Sequence, residues 1–204
     1  MLYLKLQHYA NLSFPFLPLY CNNMIDGEQN GAKRLFIALP VTGTMRDEAL
    51  TWQAEHVGWP VNWLSGDNLH ITVVAPWFET EVDKVINKLD EFVKIPRHTF
   101  FIDFNKVTFG PNRQAPRLVW AEGNPPHSLL KLKDDLETAL NRPDPRFYRL
   151  HLTLARFKAS DFGPTLPNLF DRVDWGGEIK SFELIESILK PAGPEYVKIK
   201  EFSF

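Results

Sequence analysis

The stretches NLHITV (68–73) and LHLTLAR (150–156) decide the reading of this chain. Each sets a histidine, an apolar residue, a threonine and another apolar residue in a row, behind a leucine. β-branched and aliphatic residues at this density read as strands. Along a strand, side chains alternate between faces. His70 and Thr72 therefore share one face and Leu69, Ile71 and Val73 the other. His151 and Thr153 stand in the same way against Leu150, Leu152 and Leu154. Each motif presents an imidazole beside a hydroxyl, backed by an apolar layer suited to a core. The chain has six histidines in 204 residues. Two of them in the same setting, one in each half, are poorly explained by chance.

Working outward, 33–40 (KRLFIALP) reads as a buried strand ending at proline. A helix follows from Thr44 to about Val57, with Met45, Ala49, Trp52 and His56 along one side and Asp47 completing a capping box. The first motif lies in a strand over 68–76. A second helix spans 80–92, where Val82, Val85, Ile86, Leu89 and Phe92 recur at helical spacing and Thr80 with Asp83 marks the start. A strand over 99–109, a turn over 110–116 and a strand over 117–122 form a hairpin. A third helix spans 126–140, with Leu129, Leu132, Leu136 and Leu140 on one stripe. The second motif lies in a strand over 149–157. Prolines and glycines across 161–177 predict a long loop. Two further strands, 179–189 and 195–202, flank a turn at Pro191, Gly193 and Pro194. Interleaved helices and hairpin-linked strands predict an α+β fold.

Net charge is −2, which excludes a global basic field that would grip long nucleic acid nonspecifically. Cys21 is the one cysteine, so neither an internal disulfide nor a cysteine-based metal site is expected, and a reducing, cytoplasmic setting follows. Residues 6–25 contain no Lys, Arg, Asp or Glu, but Pro15, Pro18, Asn11, Asn22 and Asn23 interrupt them. They read neither as a membrane span nor as a secretory signal. The expectation is an extension over residues 1–31, poorly ordered or non-native over 1–23, with Met24 as an alternative translation start. One folded domain then occupies 32–204. N-terminal sequencing of protein made from the native gene decides the start.

Two imidazoles beside two hydroxyls suit acid–base opening of a phosphodiester. One group takes a proton from attacking water and the other gives one to the departing oxygen, and imidazole titrates in the range both tasks need. Threonine hydroxyls and a cation can stabilise charge on the non-bridging oxygens. A zinc site is disfavoured because two histidines fall short of the three or four protein ligands zinc takes.

On NLHITV, LHLTLAR, the opening KRLFIALP and the order of helices and strands between them, the chain resembles the two-histidine phosphoesterase family. It resembles in particular the branch of the RNA 2′,3′-cyclic phosphodiesterases, which are 2′-5′ RNA ligase-like. The resemblance covers residues 33–202. It implies a bilobal α+β fold in which two antiparallel sheets form a central groove, helices cover the outer faces, and a duplication gives pseudo-two-fold symmetry. It implies hydrolysis of RNA 2′,3′-cyclic phosphate ends to 2′-phosphates without metal or cofactor, and ligation of RNA through a 2′–5′ bond. His70 would be the proton donor and His151 the acceptor, with Thr72, Thr153 and Arg156 on the phosphate. Strict alternation points Arg156 away from His151, so it reaches the groove only if the strand bends or bulges. Phe36, Trp77, Trp120 and Tyr148 are candidates for stacking on a base. His56, His98 and His127 read as surface or helix-end residues, and Lys33, Arg34, Arg113 and Arg117 as solvated charges able to guide RNA phosphates. The substrate is expected to be an RNA end or cyclic-phosphate nucleotide, and the protein a monomer. The alternatives are a cyclic phosphodiesterase for a small nucleotide such as ADP-ribose cyclic phosphate, and a non-catalytic nucleotide-binding module.

Overall fold

A computed structural model describes residues 31–112, 114–163, 166–190 and 193–204. The readings made on residues 1–30, including Cys21 and the Met24 start, and on Arg113, lie outside the described residues. The strands are β1 (Lys33–Pro40), β2 (Asn62–Trp63), β3 (His70–Glu79), β4 (Phe100–Gly110), β5 (Leu118–Glu122), β6 (His151–Arg156), β7 (Phe170–Ile179), β8 (Ser181–Lys190) and β9 (Gly193–Ser203). The helices are α1 (Gly43–Glu55), α2 (Val82–Phe92) and α3 (His127–Leu140).

The fold is α+β. One antiparallel sheet has the order β3-β1-β8-β9 and the other β2-β6-β5-β4-β7. Apolar spacing explains how the helices dock: α2 buries Val85, Leu89 and Phe92, and α3 buries Leu129, Leu132, Leu136 and Leu140. α1 lies on β7, α2 on β9, and α3 on α2 and β3. One contiguous apolar cluster draws on both sheets and all three helices. A small second cluster, Phe36, Ala38 and Ile185 with Tyr196 against it, occupies the other face of the first sheet.

The duplication is written in the pairing registers. β1 sets Pro40 opposite His70 and Ala38 opposite Thr72. β5 sets Glu122 opposite His151 and Trp120 opposite Thr153. Each motif strand then carries one extra residue immediately after its threonine. Ile37 pairs with Val74, skipping Val73, and Val119 pairs with Ala155, skipping Leu154. Both motif strands thus bulge at equivalent positions.

Several expectations need correction. The stretch 161–177 is not one long loop, because Phe170–Ile179 is the edge strand β7, paired with β4. Two of the glycines that suggested a loop, Gly176 and Gly177, sit inside that strand. An added Cβ at Gly176 would lie 2.6 Å from the Phe101 ring, so glycine there marks a close approach rather than a turn. Ile179 closes β7, and the chain passes to the other sheet at Lys180, so the next strand starts at Ser181. The capping box expected at Thr44 does not form, and Thr80 does not start the second helix: α1 begins at Gly43 after Thr42 and α2 at Val82 after Glu81, without side-chain caps. The two-residue strand β2 carried no periodic signal.

Candidate active site

The bulges determine what each motif presents. Before the bulge, His70, Thr72, His151 and Thr153 are half-buried while their neighbours Ile71 and Leu152 are sealed in the core. At each bulge two successive residues face inward, Val73 with Val74 and Leu154 with Ala155. The alternation then restarts one step out of phase, and this turns Arg156 to the side of His151 and Thr153, where it is exposed. The corresponding position after the β3 bulge is Ala75, so only the second motif brings a cation. A second irregularity in β3, between the pairs at Leu35 and Ile37, restores the original phase. Trp77 therefore lies opposite Leu35 in the main core and not in the groove.

β3 and β6 touch across the groove. The Tyr148 hydroxyl donates to the Thr72 carbonyl at 2.9 Å and ties the two halves together. Burial pushes that hydroxyl above its ordinary pKa, so it remains a donor. His70 Nδ1 lies 2.8 Å from the Asn68 carbonyl and His151 Nδ1 lies 2.9 Å from the Arg149 carbonyl. A carbonyl can only accept, so both Nδ1 atoms carry hydrogen and donate. In the neutral ring this fixes the lone pair on Nε2. Two histidines held in one tautomer by the carbonyl two residues back are the residue-scale expression of the duplication.

The surroundings of the two rings differ. His70 packs between Phe36, at 5.0 Å between centroids, and Tyr196, at 4.8 Å. His151 packs on Trp120 at 4.7 Å, with the Arg149 guanidinium 5.6 Å above the same indole. Phe36 and Trp120 are only 2% and 3% exposed, so they wall the imidazoles and offer no open face to a base. Tyr148 is half-buried against the core. Of the four stacking candidates, then, two support the histidines, one ties the halves together and one belongs to the core.

Burial holds His70 down to about 4, with the nearby Arg156 and His151 adding to the effect against the pull of the Asn68 carbonyl. Burial also lowers His151, but the Arg149 carbonyl and the Glu122 carboxylate oppose it. Glu122 stands opposite His151 across the ladder and is paired with Lys106 at 3.0 Å. Arg156 donates to the Tyr196 hydroxyl at 3.3 Å. Sequence reasoning missed Tyr196 and Glu122. Tyr196 carried no local signal, whereas Glu122 was accessible by aligning the partner strand of each motif. His56 stacks on Trp52 at the end of α1, and His98 and His127 are exposed.

Two cavities flank the motifs. One of about 320 Å³ reaches His70 and is lined by Arg46, Asp67, Glu183, Tyr196 and Lys198 among others. Another of about 420 Å³ lies beside His151, between Trp120, Glu122, Lys106, Arg149 and Phe170. Among the described residues, no three His, Cys, Asp or Glu side chains converge to hold a metal. No helix there is long and apolar enough to cross a membrane.

Comparison with known proteins finds relatives of this chain. A family model described as the 2′-5′ RNA ligase superfamily matches residues 62–188. A protein of Methanocaldococcus jannaschii named RNA 2′,3′-cyclic phosphodiesterase is 30% identical over 177 residues, covering 83% of this chain and 99% of the relative. An Archaeoglobus fulgidus protein of the same name is 29% identical over 180 residues, covering 83% and 99%. Among solved structures, TT0787 of Thermus thermophilus aligns with a TM-score of 0.67 at 23% identity, covering 83% of this chain and 97% of that one. E. coli LigT in its apo form aligns with a TM-score of 0.65 at 23% identity, covering 85% and 98%.

Proposed function

The chain belongs to the 2′-5′ RNA ligase superfamily, and from that premise we propose that it is an RNA 2′,3′-cyclic phosphodiesterase whose chemistry is done by His70 and His151. Two relatives of that name, matched over nearly their whole length, support the activity. The observation that carries the mechanism is the pair of imidazoles on facing strands, each with Nδ1–H tied to a backbone carbonyl and Nε2 left for proton transfer.

Water attacks phosphorus while one Nε2 removes its proton. The bond to the 3′ oxygen breaks, and the other Nε2–H protonates that oxygen. The phosphate stays on the 2′ oxygen. His70 is taken as the donor and His151 as the acceptor, the order that the family resemblance implies. The His70 ring, with its pKa lowered, gives up a proton readily once it has gained one. The charge that grows on the accepting ring is met at His151 by Glu122. Thr72, Thr153 and Arg156 take the non-bridging oxygens, the guanidinium offering several N–H donors to one phosphoryl group. A 5′-hydroxyl attacking in place of water would leave a 2′–5′ bond, so ligation uses the same groups. Proton transfer supplies the catalysis in this scheme, so turnover should survive excess chelator. One chain provides both motifs, so the monomer suffices.

The test is incubation with an oligonucleotide ending in a 2′,3′-cyclic phosphate, followed by identification of the oxygen that keeps the phosphate. A 2′-phosphate is expected. A 3′-phosphate, or an unchanged cyclic end, would contradict the proposal.

A further inference from the structure

Along the groove face of β1, Arg34 follows Phe36, Ala38 and Pro40 at every second position, leading away from His70. Arg34 Nη1 donates to the Ser187 hydroxyl at 2.9 Å. Ser187 on β8 is directly opposite Tyr196 on β9, and the Tyr196 hydroxyl accepts from Arg156. The two guanidinium groups are thus linked through one cross-strand pair, and the charge of Arg156 is felt at Arg34. Among the described residues, neither arginine is paired with a carboxylate, and each hydrogen-bonds through its guanidinium only to a neutral hydroxyl. The neighbouring basic side chains differ: Lys33 is paired with Glu186, and Lys198 with Glu183 and Glu201.

Two like charges linked in this way, one of them half-buried, call for an anion. Burial and the Arg156 charge both disfavour the charged form of Arg34. A cyclic phosphate diester carries one negative charge, and Arg156 beside Thr153 already answers it. The duplication does not require Arg34 either, since the matching position ahead of β5 is Pro116. We propose that Arg34 seats a second phosphate, the one on the 5′ side of the terminal ribose, so that the site selects the end of an RNA chain over a cyclic mononucleotide. This rests on the activity proposed above and specifies its substrate.

The experiment compares kcat/KM for adenosine 2′,3′-cyclic phosphate with that for the same nucleotide bearing a 5′-phosphate. The native protein is expected to favour the 5′-phosphorylated substrate by about tenfold or more, as a charge-assisted contact provides. Arg34→Gln should bring that ratio towards one, and Arg34→Lys should keep most of it. A native ratio near one, or a ratio unchanged in Arg34→Gln, overturns the inference. If neither substrate is turned over, the activity itself fails. Calorimetric affinities for adenosine 2′-monophosphate and adenosine 2′,5′-bisphosphate then read the same ratio: a preference lost in Arg34→Gln upholds the second phosphate seat, and equal affinities remove it.

Discussion

At the scale of single residues, the proposed mechanism rests on what surrounds two chemically identical rings. Substituting Glu122→Gln keeps the shape of the side chain and removes the charge facing His151. The expected outcome is a drop in kcat of roughly tenfold with KM little changed, since in the proposed mechanism the carboxylate acts on charge that develops only during reaction. A KM effect alone would show that Glu122 merely shapes the groove. Burial also couples His70 to stability. Its folded pKa lies near 4 and its unfolded value near 6.5, so the unfolded chain binds the extra proton between those values. Stability should therefore fall as pH drops through that window, by on the order of 3 kcal/mol from this group. Denaturant midpoints measured from pH 7 to pH 4 should decline less steeply in His70→Gln than in the native protein. Parallel curves would mean that the ring is not buried as described. The motif residues were legible because a repeated His-x-Thr needs only a strand's two-residue period. The roles of Phe36 and Trp120 were not, because aromatic residues carry no sequence mark that separates a wall from a platform.

At the scale of elements, the bulges do what regular strands cannot. One extra residue in β6 brings Arg156 to the side of His151, as the conflict between its position and strict alternation required. Two irregularities in β3 cancel, so Trp77 returns to the core. The skipped residue Leu154 has its carbonyl satisfied from outside the ladder, by the Leu64 N–H at 2.9 Å and the Gln53 side-chain amide at 2.9 Å. Gln53 is itself buried on α1 and also donates to the Leu64 carbonyl. Gln53→Leu should cost about 1–3 kcal/mol by leaving buried carbonyls underpaired, and should lower turnover by loosening the aim of Arg156. Unfolding and kinetics on the same preparation check both; a loss of stability with native turnover would show that the bulge holds without α1. Apolar periodicity marked the existence of the three helices and most strands. It failed at β7, where Gly176 serves close packing, and at the helix starts, where Thr44 and Thr80 lie near the cap positions but do not occupy them.

At the scale of the whole molecule, two halves of common plan are joined so that their motif strands meet. The plan survives in register, bulge and tautomer. It is broken where function needs asymmetry: Ala75 against Arg156, Pro40 against Glu122, Ala38 against Trp120. The pseudo-symmetry itself was visible in the repeated motif, whereas the way the partner strands diverge required the pairing. The link between halves through Tyr148 predicts that Tyr148→Phe costs about 1 kcal/mol of stability and lowers kcat, because Thr72 loses its fixed backbone. Thermal unfolding with steady-state kinetics tests this, and unchanged kcat would place the coupling of the halves elsewhere. The claim on which everything else depends is that both imidazoles act in a single transition state. The most direct test is the single-turnover rate of the native protein, His70→Ala, His151→Ala and the double variant on one cyclic-phosphate oligonucleotide, with folding verified by circular dichroism. Each single variant should fall by roughly 10²–10⁴-fold, and the double variant should be scarcely slower than the worse single one. Near-native turnover in either single variant would contradict the account.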